Sequence, residues 1–408
     1  MTSPAPAPGN QWSALELLRV PVFRRLWGGA VLFSLGQWME RTAIGWFVLD
    51  LTGSVFLTAL VWSVRTMPNL VFGPLAGAIA DRHQRRSLLA LNAAVRAAIV
   101  LVLGLVALVR DPSVVGILVL VALSGMTMTL QLAALQSLAG ELAGAGRLAS
   151  AVSLMSFGQR SVGAVGALSS GFLIAGLGAG ATFLLAVVPL VLGALAFASV
   201  PPTTRTPATT RLSSDVLEGL HVVFRVRIVG LLLGLMVVVE ILGFSYNSLL
   251  PAVAERTLGV GPEGLGALMS GAAVGSMAGT GFLAALADRA RHGRLLIGVI
   301  ALFGILLVLL GVSHVFAVSL LVVSGIGAMA ALVDALEWTL LQASVDERLR
   351  GRVLGAWNHA IGWGWIGPVV LGALAEGIGV GNALALSGAL LGVTGGLVAL
   401  QSRQLRHA

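Results

Sequence analysis

The sequence contains no cysteine and no lysine, a single tyrosine, and charged residues at only 10% of its 408 positions. Without cysteine, disulfides and thiolate metal sites are excluded. Without lysine there is no Gly-x4-Gly-Lys-Ser/Thr loop, which excludes direct ATP drive within this chain. All 25 basic residues are arginine, and a guanidinium keeps its charge in a protein. The six histidines, all but His359 in or near loops, form no close cluster with acids inside apolar stretches, which argues against a metal hydrolase. No cofactor is expected. The scarcity of charge also excludes an ordinary soluble domain, which is about 25% charged.

What the sequence has instead is hydrocarbon, at 57% of positions. Apolar stretches recur along the whole length, each about the 17 to 25 residues a helix needs to cross a bilayer. With Gly, Pro and charge clusters as punctuation, helices are expected near 26–50, 56–80, 88–109, 114–138, 148–175, 179–200, 228–252, 263–287, 294–313, 315–343, 352–377 and 380–402. The fold class is therefore all-α integral membrane, with twelve spans. The polar, Pro-rich start reads as a cytoplasmic tail over 1–25, without the features of a signal peptide. The interval 201–227 is the longest polar one and divides a bundle at 26–200 from one at 228–402, with a short tail at 403–408. Within it, Ser213 to Arg227 is amphipathic enough to lie on a membrane surface. The net charge of +8 is scattered over short loops rather than gathered on one face, so it reads as topology and not as nucleic-acid binding. If the N-terminus is inside, nineteen arginines lie in inner segments and only Arg110 and Arg256 in outer ones. That asymmetry puts both termini in the cytoplasm, in a bacterial cytoplasmic membrane.

The two bundles echo one another. GPLAGAIADRHQRRSLL, closing the second span, has a counterpart in GFLAALADRARHGRLL, closing the eighth, and Asp81 and Asp288 stand 207 residues apart. GRLASAVSLMSFGQ and GRVLGAWNHAIGWG open the fifth and eleventh spans at an offset of 205. Two echoes at nearly one offset indicate a duplicated six-helix unit, which places a substrate site near the midplane between halves that rock.

At GAIADRHQRRSLL the chain resembles the loop between helices 2 and 3 of the major facilitator superfamily, matching at Gly77, Asp81, Arg82, Arg85 and Arg86 and departing at Gln84, where the family usually has glycine. The second copy is looser, with Ala284 for the first glycine, Asp288 and Arg289 retained, and glycine late at Gly293. VFRRLWGGAVLFSLGQWMERTAIGWFVLDLTGS and VDERLRGRVLGAWN resemble the twelve-helix drug-efflux branch that includes macrolide and enterobactin exporters. The fifth span keeps Arg160 but lacks the proline that often follows in that branch, whereas Gly367 and Pro368 stand in the eleventh. The resemblance implies a cytoplasmic gate, in which Asp81 meets the N-terminus of the eleventh helix near Gly351 while Arg82, Arg85 and Arg86 bridge neighbouring helices.

Charges inside apolar spans are expensive, so they mark function or pairing. Adjacent on a helix, Glu40 and Arg41 point about 100° apart and need separate partners. Gln37 shares a face with Arg41 and a neighbouring one with Glu40. Glu40 is expected to face the central cavity, to pair with Arg65 or Arg160, and to exchange a proton; a static bridge is the competing reading. Arg65 and Arg160 equally suit an anionic substrate group. Arg96, two turns into its span, reads as a snorkelling structural residue. Glu240 is a second proton candidate, and Tyr246 with Asn247 offers hydrogen bonds to substrate. Asp334 and Glu337, one turn apart, suit a cation or a shared proton, or else meet Arg348, Arg350 or water at the cytoplasmic end.

Glycine, at 53 residues, suits close helix packing. Trp27 reads as an interface marker, while Trp38, Trp46, Trp62, Trp338, Trp363 and Trp365 fall within spans, where some line an aromatic cavity. The function expected is a monomeric, proton-coupled antiporter exporting hydrophobic or amphipathic small molecules. Uptake or flipping of a lipid-like solute, or a non-transporting receptor, are the alternatives.

Overall fold

The computed structural model describes residues 14–144, 147–202, 226–286, 292–346 and 349–401, and every regular element among them is helical. A 3-10 turn, Ala14–Arg19, leads into α1, Pro21–Thr52. Pro21 occupies the first turn, where its missing N–H has no helical acceptor to lose. Gly53, at φ 60, ends α1 with its N–H returned to Leu49 O. Next come α2, Val55–Arg82, α3, Arg85–Val106, and α4, Val114–Ala143, the last begun by Ser113, whose side chain accepts from Gly116 N–H. The stretch Leu148–Ala198 is broken only at Gly178 (φ 83, ψ 165), which divides it into α5 (148–177) and α6 (179–198).

The second half is less regular. α7 begins as Arg227–Val238, widens into a π turn at Val239–Gly243, tightens to a 3-10 turn at Phe244–Ser248, and continues through Leu250–Ala252 to a second π turn, Val253–Thr257. Pro251 lies in this run and removes one backbone donor. α8 is Gly261–Leu286, α9 His292–Val312 and α10 Phe316–Ala343. α11 runs Arg350–Gly362, a 3-10 turn Trp363–Trp365, then Ile366–Ile378. The turn falls where Pro368 withholds its N–H from the carbonyl four residues back. Gly379 (φ 89, ψ 153) separates α11 from α12, Val380–Gln401. Eight stretches among the described residues are long and apolar enough to cross a membrane.

Two large apolar cores form, with a small third cluster of Leu17, Phe23, Ala143, Ala151 and Leu154. One draws only on residues between Leu26 and Val200. The other is built between Val229 and Leu391 and takes in Leu49, Val55, Ala59, Trp62 and Ala167 from the first half. Where helices approach most closely, glycines face backbone. A Cβ at Gly275 in α8 would overlap the Ser324 carbonyl in α10, and one at Gly327 would overlap Ala272 O. Across the halves, α5 meets α8 through Gly171 and Gly266, and α2 meets α11 through Leu70 against Gly362 and Ala59 against Gly372. α1 reaches the other half through Gly45 beside Pro251 and Thr42, whose hydroxyl lies 3.5 Å from Met269 sulfur. Large apolar side chains such as Leu105, Val115, Leu195, Ile305, Leu321 and Leu397 point outward, a surface matched to hydrocarbon.

Candidate functional site

Two stripes of polar residues meet inside the first half. Asn92 and Arg96 are one turn apart on α3, and Ser124, Thr127 and Gln131 follow at spacings of three and four on α4, so each set lies on one face. Both faces point at Glu40 on α1. Arg96 Nε and Nη2 donate to Glu40 Oε2 at 3.0 and 2.6 Å, and Ser124 Oγ donates to Oε1 at 2.7 Å. Arg65 Nη1, from α2, stands 3.6 Å from Oε1. The remaining Arg96 nitrogen donates to Ser124 O at 3.3 Å and Thr127 Oγ1 at 3.1 Å, with the Phe33 ring 5.5 Å from the guanidinium carbon. Asn92 Nδ2 ties Thr127 O and Gln131 Oε1 at 2.8 and 2.9 Å. Glu40 and Arg96 are both 0% exposed.

This corrects one sequence expectation and narrows another. Arg96 does not snorkel; it is wholly buried and is the principal partner of Glu40. Arg160 is not that partner, because its Nη1 donates to Ser276 Oγ on α8, across the halves. Arg65 is confirmed beside Glu40, and Gln37 is half-buried one turn before it. The signal that would have found Arg96 is the polar stripe of α4, which has no use on a lipid face.

Arg41, the other half of the adjacent pair, faces elsewhere. Its guanidinium lies between two indoles, 4.6 Å from the Trp38 ring and 4.2 Å from the Trp62 ring. Tyr246 of α7 is within electrostatic reach and packs edge-on to Phe303 at 6.5 Å. Asn247 Nδ2 donates to Phe244 O in its own turn at 3.1 Å. Arg41 Nε, Arg65 Nη2 and Trp62 Nε1 are buried with no hydrogen-bond partner.

The second half contributes acids. Glu240 lies in the π turn of α7, and its Oε2 occupies space that Gly364 leaves open, 2.7 Å from where a Cβ would be. On α10, Glu337 is 0% exposed, and neither of its carboxylate oxygens has a hydrogen-bond partner. Glu240 and Asp334 are both within electrostatic reach of Glu337, and Arg160 is within reach of Asp334. Glu337 therefore does not sit in water at a helix end, one of the settings the sequence left open. Trp338 and Trp357 cross at 5.3 Å beside this region, and Trp363 is 40% exposed. Among the described residues no group of three or more His, Asp and Glu side chains is placed to hold a metal.

Of the expected gate, Arg85 Nη1 bonds Glu141 Oε2 at 2.9 Å and Arg86 Nη1 bonds Val200 O at 3.0 Å, each within the first half. Asp288 and Arg289 lie outside the described residues, and Gly77, Asp81 and Arg82 outside the described side chains.

A family model described as transmembrane secretion effector matches residues 12–407. The enterobactin exporter EntS of Shigella boydii is 25% identical over 413 residues, covering 96% of this chain and 95% of the relative. The MFS-type transporter YfiS of Bacillus subtilis is 28% identical over 421 residues, covering 95% and 96%. Among solved structures, the nucleoside transporter NupG superposes with TM-score 0.75 at 12% identity over 94% of this chain and 100% of that one, and the POT family transporter PepTSo with 0.71 at 12% over 95% and 98%. Those two likenesses establish the fold alone. Matched over nearly its whole length, the chain belongs to the transmembrane secretion effector family, membrane transporters of the major facilitator superfamily.

Proposed function

We propose that the chain spans a bacterial cytoplasmic membrane twelve times as two six-helix bundles, 26–200 and 228–402, with both termini in the cytoplasm. As a monomer, it exports hydrophobic or amphipathic small molecules in exchange for protons, the halves rocking to open on either side. The excess of arginine in one set of loops supports the orientation. The relatives named as enterobactin exporters support outward transport of a small molecule.

The observation that carries the reading is Glu337, a carboxylate with no exposure and no hydrogen-bond donor, set among Glu240 and Asp334. Such a group is costly to hold unpaired in a low-dielectric site, and it is where a proton is exchanged. Glu40 suits that task less well in this conformation, because Arg96, Ser124 and Arg65 already surround it. Its role is to hold Arg65 and Arg96 in place. Arg41, Trp38, Trp62, Arg65 and Tyr246, together with Asn247 and, on α5, Arg160, supply the stacking surfaces and donors for cargo.

The test is transport of a fluorescent amphiphile by purified protein in liposomes. Wild type accumulates it on the acidic side of an imposed pH difference. Glu337→Gln binds and exchanges the amphiphile without accumulating it. Cargo movement indifferent to both acidity and voltage would end the antiport reading.

A further inference from the structure

α2 begins with three backbone N–H groups that its own turns leave without acceptors. Ser54 Oγ takes the third, from Leu57, at 3.2 Å. The first two, from Val55 and Phe56, both donate to one oxygen of Glu376, at 2.9 and 3.1 Å. Glu376 belongs to the opposite half, two residues before α11 ends, and is the one charged residue in its segment Ile366–Ile378. A carboxylate at the positive end of a helix gains both charge-assisted bonds and the helix dipole. Beside it, Arg256 from the end of α7 donates to Gly53 O, a second bond across the halves.

The seam related to this one by the internal repeat is built differently. At offsets of 205 and 207 residues, Glu376 corresponds to Gly171 and Val55 to Pro262. Gly171 has no side chain to accept a bond and Pro262 no N–H to donate one. There the two helices touch directly: a Cβ at Gly171 would come 2.5 Å from Pro262 O and 3.0 Å from Gly266 Cα. At the Gly53 end one seam is thus closed by a polar clasp and its counterpart by smooth backbone contact, the Arg160–Ser276 bond of that second seam lying eleven residues back along α5.

We infer that Glu376 is a positioning residue of the transport cycle, the clasp that holds the α2–α11 seam shut at the Gly53 end, while the α5–α8 contact serves as the pivot. When that end opens, the bonds to Val55 and Phe56 must break, whereas Gly171 and Gly266 slide. The inference rests on the reading that the halves rock. Its test uses no cargo and no gradient, so it fails or stands separately from proton antiport.

The chain lacks cysteine, so cysteines at exposed Asp111 and His314, in the turns after α3 and α9, carry a spin-label pair without further changes. Glu376→Gln is expected to raise the long-distance fraction about fivefold or more over the labelled parent. Val55→Pro removes one donor at a helix position that tolerates proline, and is expected to act in the same direction. The double variant should do no more than the stronger single one, since both break one clasp. Should Glu376→Gln fail to fold, Val55→Pro decides alone. Distances unchanged in the folded variants, or effects that simply add, would overturn the clasp.

Discussion

Arg96 and Glu40 meet out of reach of solvent, two guanidinium nitrogens converging on one carboxylate oxygen at 3.0 and 2.6 Å. Breaking a buried pair from one side leaves the other charge stranded, at a cost of about 3–5 kcal/mol. Arg96→Met should therefore lower the thermal midpoint of the purified protein sharply, and Glu40→Gln combined with Arg96→Met should recover much of the loss. A single variant that melts like wild type would deny the pair structural weight.

Glu337 presents the opposite case. With neither oxygen hydrogen-bonded, its replacement by an apolar residue of similar size removes a desolvated group and leaves no partner orphaned. Glu337→Leu should melt at or above the wild-type temperature yet lose gradient-driven export. Loss of stability together with export would mean that Glu337 holds the fold.

Arg41 tests whether shape or charge matters between Trp38 and Trp62. Lysine keeps the charge but not the flat guanidinium that stacks on both rings, each contact being worth about 0.5–2 kcal/mol. Arg41→Lys should cut export in the liposome assay about tenfold or more with little change in melting. Wild-type export from that variant would remove the stacked site from the cargo path.

Two glycines of α8 separate packing from composition. Gly275→Ala drives a methyl into the Ser324 carbonyl, whereas Gly281 has nothing within 4 Å of the added atom. The first should destabilise by roughly 1–3 kcal/mol as overpacking does. The second should be neutral or stabilising, because alanine is the better helix former. Equal melting of both variants would contradict the backbone contact between α8 and α10.

Span positions were legible because hydropathy and glycine breaks act locally: the break read between 175 and 179 is Gly178, and Arg65, one of the two partners expected for Glu40, stands beside it. What sequence order hides is facing. Arg96 looked close enough to a helix start to reach water, and only the arrangement of α1, α3 and α4 shows its side chain turned inward. Trp27, read as an interface marker, also donates to Leu154 O at 3.1 Å and packs over Gly158, contacts that its position in the sequence does not reveal. The π and 3-10 turns of α7 also escaped, since hydropathy does not distinguish one helical pitch from another. Glu376 was not singled out from the sequence at all, because its partners lie some 320 positions away.

Gly178 and Gly379 adopt nearly the same backbone angles, 83 and 165 against 89 and 153 degrees, in a region essentially closed to residues with a side chain. Each is the entire connection between a helix lying on the opposite half and the neighbour behind it. With one residue for a joint, there is no slack through which α5 could tilt and leave α6 behind, or α11 leave α12. In the rocking motion proposed above, each pair would move as one, passing torque from the seam between the halves to the lipid-facing wall of the molecule.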